Sequence, residues 1–208
     1  NREQENMNPH AFSDLAVYPE SIVEHEGVAY FLARERDSGE KCLGVMGQAG
    51  DFEGKPHAEG GALICPLTPA NAAALRARLP WLNPVPLGLR TAVGMGDRLG
   101  LATPGHAAAA RGTGVAPIFA QQSVRENART RRSPQEVLDD AMWGVFQAGW
   151  RDPWGADADH LKETGVMAAF VEAGYTFFTV DPGDHVDGDA DGFDHFFAGG
   201  IGFGVEQS

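Results

Sequence analysis

The sequence lacks long apolar segments and contains only two cysteines, which narrows the classes of protein that it can specify. No apolar run approaches the roughly 18 residues that a transmembrane helix requires. The polar residues at 1–6 are unlike the apolar core of a signal peptide. Cys42 and Cys65 lie on separate apolar segments without Cys-x-x-Cys spacing, so we expect two buried thiols rather than a zinc site or a disulfide. These absences predict a cytoplasmic protein that does not bind a membrane.

Basic residues are scarce compared with acidic ones. The 16 lysines and arginines stand against 29 aspartates and glutamates, which gives a formal net charge of −13. Such a surface repels phosphate backbones, so nucleic acid is not an expected partner. The glycine spacing of residues 94–100 differs from the dinucleotide fingerprint, and no Gly-Lys-Ser/Thr loop occurs. An anionic small molecule remains compatible with this charge, because a few arginines can reverse the field within a cleft.

The first part of the chain, residues 1–82, is rich in short apolar strands. Strands are expected at 28–33, 42–46 and 62–65, followed by a helix at 70–79. Thr68 and Pro69 precede that helix as a capping residue and a first-turn proline. The pattern predicts a small α+β unit that caps the residues after it.

The second part, residues 83–186, alternates strands with helices in about four βα units. Its strands are expected at 85–93, 115–120, 155–159 and 176–181. Helices are expected after Thr103 and Pro104, after the capping box Ser133-Pro134-Gln135-Glu136, and at 162–173. Strands this apolar imply a parallel sheet covered by helices, so we predict an α/β fold, either an open sheet or a partial TIM-type (β/α) barrel. If it is a barrel, these units form its first half. Residues 187–208 form an acidic, glycine-rich tail without a strand of similar strength.

Polar residues cluster after the predicted strands, at the edge where parallel sheets carry their chemistry. Arginines near the first strand are candidates to grip a carboxylate, and two adjacent amides after the second strand suit sugar hydroxyls, since an amide both donates and accepts. An ordinary solvated loop explains each of these segments as well. The candidate substrate contacts are Arg90, Asp97, Arg98, Gln121, Gln122, Arg125, Asp157, Asp181 and His185.

An Asp-Ala-Asp-His sequence at the end of the third strand of this part is the clearest chemical motif. Side chains alternate along a strand, so Asp157 and Asp159 share one face, where a cation or a bound polyol would offset the cost of burying them. His160 follows and can offer a neutral imidazole to a divalent cation. A hydrogen-bonded Asp–His pair that holds the loop explains the spacing equally well. Asp181 and His185 repeat the pattern, although Pro-Gly-Asp is also strong turn chemistry.

These residues fall within ordered blocks of sequence that resemble the tagaturonate/fructuronate epimerase family. The blocks are residues 87–90, 96–100, 117–127, 139–147, 155–160 and 181–186. The resemblance implies a metal-dependent isomerase that interconverts two keto-hexuronates differing at C4. It assigns His160 as a ligand of a divalent metal cation and Asp159 as the proton acceptor. The family is longer than this chain, and the resemblance places its remaining metal ligands outside it.

The chemistry of the implied reaction favours one route. The C4 proton of a 2-keto sugar acid is β to the carbonyl, so retro-aldol cleavage and re-addition fit better than direct enolisation. Two alternatives stay open: a class II aldolase-like or other sugar isomerase barrel, and an inactive half-barrel that needs a partner. An open sheet edge promotes association, so a homo-oligomer is a further expectation.

Overall fold

The computed structural model describes residues 12–183 and 186, and it contains two sheets. The strands of the first sheet are β1 (Leu15–Val17), β2 (Val23–His25), β3 (Val28–Glu35), β4 (Lys41–Met46), β5 (Lys55–Pro56) and β6 (Leu63–Pro66). They are antiparallel in the order β1-β3-β4-β6-β5, with β2 paired to β3. Glu26 and Gly27 join β2 to β3 with positive φ angles of 51° and 76°, as a two-residue hairpin turn requires.

The predicted elements of the first unit are confirmed at β3, β4 and β6, while the short strands β1, β2 and β5 were not predicted. The expected helix is α1 (Pro69–Arg78), and the Thr68 side chain caps it by accepting the Asn71 N–H. Cys42 and Cys65 lie on adjacent strands as free, buried thiols, as expected. Burial raises the pKa of each thiol to about 11.

The second sheet is parallel. Its strands are β7 (Ala92–Gly94), β8 (Ala116–Ser123), β9 (Gly155–Leu161) and β10 (Phe177–Val180), in the order β10-β9-β8-β7. The helices that accompany them are α2 (Thr103–Ala110), α3 (Val124–Thr130), α4 (Pro134–Gln147) and α5 (Met167–Ala173). The sheet curls into a four-stranded half-barrel. The predicted α/β fold is therefore confirmed.

Two predicted elements of the half-barrel are shorter than expected. The strand predicted at 85–93 contracts to β7, since Pro84 and Pro86 offer no backbone N–H for a ladder and Gly88 turns the chain with a φ of 61°. The helix predicted at 162–173 begins with a 3-10 turn at Thr164–Val166 and becomes α5 only afterwards.

One strand is longer than expected. The strand predicted at 115–120 continues to Ser123, whose side chain accepts the Glu126 N–H and caps α3. A solvated loop was one of the two interpretations left open for residues 121–127, and the structure instead shows the end of a strand followed directly by a helix. As a result Gln121 and Gln122 point to opposite faces of β8.

Helix α4 joins the two sheets. Ser133 and Glu136 form the capping box predicted at its start, with the Ser133 N–H donating to the Glu136 carboxylate at 2.7 Å. Its apolar stripe is buried, and one apolar core extends from the first sheet across α4 to α5. Arg76 of α1 donates to Asp139 of α4 at 2.5 Å, which fastens the first unit to the helical layer. Within residues 12–183, no helix is long and apolar enough to cross a membrane.

Candidate active site

A row of hydrogen bonds crosses three strands on the face of the half-barrel opposite the helices. Gln121 of β8 pairs in register with Asp157 of β9, and its Nε2 donates to Asp157 Oδ2 at 3.2 Å. The Thr179 hydroxyl of β10 lies 3.0 Å from both carboxylate oxygens of Asp157. The carboxylate is thus the centre of the row.

Strand alternation explains why Asp157 occupies this position. Ala156 and Ala158 are fully buried and pack in the core with the helices, so Asp157 points to the other side of the sheet. The residue is only 2% exposed. Burial raises the pKa of Asp157 above its usual range, while hydrogen bonds from Thr179 and Gln121 oppose that rise. A buried carboxylate with two donors is a satisfied polar group rather than an isolated charge.

Glycine at the end of β7 makes room for the row. A Cβ atom on Gly94 would lie 2.2 Å from Gln121 Oε1 and 2.4 Å from its Nε2. The Gln121 amide therefore rests directly on the backbone of β7. Gly94 and Thr179 were not among the predicted site residues. Glycine permits a close backbone approach, so Gly94 is a signal for one in the sequence, but only strand pairing shows that Gln121 is the residue that approaches.

The spacing of Asp159 and His160 allows either a metal site or a hydrogen-bonded pair, and the structure shows the two side chains in contact. Asp159 Oδ1 lies 2.6 Å from His160 Nδ1, and His160 has a positive φ of 59° within β9. The His160 side chain is 61% exposed and that of Asp159 21%, so both remain accessible to a ligand. Among residues 12–183 and 186, no three His, Cys, Asp or Glu side chains converge to hold a metal ion. The described residues alone therefore do not fit a complete metal site.

The arginines predicted to grip a carboxylate lie apart from this row. Arg98 forms an ion pair with Glu126 of α3. Arg90 lines a surface cavity with Ala116, the first residue of β8, and so lies near the N-terminal end of that strand. Arg125 is exposed on the first turn of α3.

The remaining candidates hold loops or face the helices. Asp97 accepts the Leu99 and Ala102 N–H groups at 3.0 and 2.5 Å, which shapes the loop before α2. Gln122 is 2% exposed on the helical face of β8.

Asp181 forms the turn that its sequence also indicated. It accepts the Gly183 N–H at 2.9 Å, which lowers the pKa of this carboxyl, and lies 3.8 Å from Lys162. His185 lies outside the described residues.

Comparison with known proteins places this half-barrel in a family. A family model described as UxaE, tagaturonate epimerase, matches residues 18–196. The chain is similar to a tagaturonate/fructuronate epimerase of Thermotoga maritima, with 45% identity over 175 residues that cover 82% of this chain and 36% of that protein. It is also similar to the native crystal structure of fructuronate-tagaturonate epimerase UxaE from Cohnella laeviribosi, at 35% identity and a TM-score of 0.79, over 84% of this chain and 36% of that one.

A glycerol-complexed crystal structure of the Cohnella laeviribosi enzyme agrees, with a TM-score of 0.78 at 35% identity over 83% of this chain and 35% of that one. The chain thus spans about 36% of the length of the relatives it matches.

Proposed function

Because the chain belongs to the tagaturonate epimerase family, we propose that it carries part of the active site of an enzyme that interconverts tagaturonate and fructuronate by inversion at C4. The continuous family match over residues 18–196 carries this proposal. The structure supports it with a row of polar groups, Gln121, Asp157 and Thr179, on the strand face opposite the helices, in a fold whose enzymes bind substrate at the C-terminal ends of the strands.

We propose a retro-aldol mechanism. Asp159 accepts the proton of the C4 hydroxyl and the C3–C4 bond breaks. The electron pair of that bond forms an enolate with the C2 carbonyl, and C4 becomes an aldehyde. The aldehyde carbon turns and the enolate re-adds to its other face, after which the proton returns to the new C4 oxygen. Asp159 suits this role because it is partly exposed and its 2.6 Å contact with His160 fixes its orientation.

The same chemistry would serve a class II aldolase, so the products decide between the two. Incubation of the complete enzyme that contains this chain with tagaturonate, followed by NMR, should show fructuronate, and an Asp159→Asn variant should lose at least roughly a hundredfold in rate. A carbonyl-trapping hydrazine should capture a three-carbon hydroxy-aldehyde acid. Deuterium from the solvent at C4 would count against the retro-aldol route, and release of free fragments without epimerisation would favour the aldolase.

We further propose that His160 is one ligand of a divalent metal cation, which would act as a Lewis acid when bound. Within the residues that the structure describes, no group of three His, Cys, Asp or Glu side chains converges at His160, so on this proposal the further ligands would lie outside those residues. Metal analysis of the purified protein tests this, with His160→Ala compared with His57→Ala, a histidine of the first sheet paired with Asp14. Equal metal content in both variants would refute the assignment.

Two further properties are proposed. Within the residues that the structure describes, β7 and β10 are the edge strands of the parallel sheet and carry the exposed side chains of Val93, Phe177 and Val180; such edges promote association. A homo-oligomer is therefore expected, and light scattering after size-exclusion chromatography measures its mass. The free thiols Cys42 and Cys65 suit a reducing, cytoplasmic environment.

A further inference from the structure

The hydrogen bonds around Asp157 impose a direction on its two neighbours. An ionised carboxylate has no proton to donate, so it only accepts. Gln121 therefore turns its Nε2 toward Asp157 at 3.2 Å, and Thr179 turns its hydroxyl proton toward the same carboxylate at 3.0 Å. The Gln121 amide and the Thr179 hydroxyl therefore each donate one hydrogen bond to the Asp157 carboxylate.

The atoms left for a ligand are consequently acceptors. Gln121 Oε1 points away from the carboxylate and lies over Gly94. Among the residues that the structure describes, no donor reaches this oxygen. The Thr179 oxygen likewise keeps its lone pairs while its proton is engaged. Gln121 and Thr179 are both partly exposed, so a ligand can reach them.

We propose that Asp157 is a positioning residue that sets Gln121 Oε1 and the Thr179 hydroxyl oxygen as acceptors for hydroxyl groups of the substrate. Gly94 belongs to the same device, because any side chain there would displace the Gln121 amide. The assignment rests on the proposed function and adds the direction in which the substrate lies. Its hydroxyl-bearing carbons face this row, and its carboxylate binds elsewhere, since a carboxylate offers no donor and would meet three acceptors.

A purely structural row, one that only ties β8, β9 and β10 together, makes a different prediction. Its loss would lower stability and would weaken all ligands alike. A row that accepts a hydrogen bond from a substrate hydroxyl discriminates between a ligand that has that hydroxyl and one that lacks it. Ligands that differ by a single hydroxyl therefore separate the two roles.

The experiment measures binding of fructuronate and of analogues that each lack one hydroxyl, by isothermal titration calorimetry. The variant Gln121→Met keeps the length of the side chain and removes its polar atoms. We expect it to weaken fructuronate binding about five- to tenfold, yet to leave the affinity for one of the deoxy analogues unchanged. Equal weakening of every ligand, or no weakening, would overturn the proposal.

Thr179 supplies a matched pair of variants. Thr179→Ser keeps the hydroxyl and should bind fructuronate within about twofold of the unmodified protein, whereas Thr179→Val should lose about five- to tenfold. Thermal unfolding midpoints are measured for both. If Thr179→Val and Thr179→Ser bind fructuronate equally well, Thr179 accepts nothing from the substrate and the proposal fails for it. If the unmodified protein binds no keto-hexuronate, the proposed function falls together with the inference; binding that no variant alters refutes the inference alone.

Discussion

Removal of Arg76 tests how the first unit is held on the half-barrel. Arg76 of α1 and Asp139 of α4 form an ion pair at 2.5 Å, with side chains only 12% and 7% exposed. Gln135 adds a hydrogen bond to the same carboxylate oxygen at 2.9 Å. Arg76→Ala leaves a buried carboxylate without its cation, which costs about 3–5 kcal/mol in free energy of unfolding at pH 7.

The pH dependence of that loss has a definite sign. Burial raises the pKa of Asp139 above its usual range, and Arg76 opposes the rise. Without Arg76 the folded-state pKa rises further, so the folded variant holds a proton that the unfolded chain releases near its ordinary value of about 4. A raised folded-state pKa contributes stability below the unfolded value and loses it as the pH rises. The deficit of Arg76→Ala should therefore shrink as the pH falls from neutral toward that value.

Urea unfolding followed by fluorescence of the buried Trp143, Trp150 and Trp154 measures both quantities. Arg78→Ala is the control, because Arg78 lies on the same helix and pairs with Asp51 at an exposed position, where ion pairs contribute little. A combined Arg76→Met and Asp139→Leu variant should regain most of the stability. A loss no larger than that of the control, or one independent of pH, would refute this reasoning.

Three other changes have expected outcomes. Cys42 and Cys65, each with a pKa of about 11 and buried, should react with a thiol reagent at pH 8 only after urea is added; rapid labelling of the native protein would contradict their burial. Ser133→Ala removes a capping box and should lower the free energy of unfolding by about 1 kcal/mol, whereas Ser133→Thr should not. Gly44→Ala places a Cβ atom 2.1 Å from the Phe31 ring and should cost about 1–3 kcal/mol; an unchanged urea midpoint would mean that the ring moves freely.

Local signals in the sequence predicted the elements that local interactions stabilise. The Ser-Pro-Gln-Glu sequence satisfies the orphan N–H groups at a helix start by itself, and α4 begins there. The apolar runs of β3 and β4 identify a buried antiparallel pair. The rhythm of apolar strands and helices identified the half-barrel, because a parallel sheet needs a helix between successive strands.

Strand ends were harder to predict, because an apolar run indicates burial but not hydrogen bonding. Residues 85–93 are apolar enough for a strand, yet only Ala92–Gly94 pair with β8. The opposite error occurred in β8. Its ladder with β9 continues through Gln121 to Ser123, opposite Asp157, Ala158 and Asp159, although the β8 residues are polar.

The candidate site shows the same limit at the level of single residues. Alternation along one strand was enough to place Asp157 opposite the helices, since that placement depends only on β9 itself. Thr179 reaches the Asp157 carboxylate because β10 pairs Phe177 with Asp157 and then shifts its register between Phe178 and Val180. Such a shift depends on two segments about 20 residues apart that settle their pairing only when the sheet forms. The contact between Thr179 and Asp157 is therefore a property of the assembled sheet, and variants of Thr179 test the register as directly as they test the proposed chemistry.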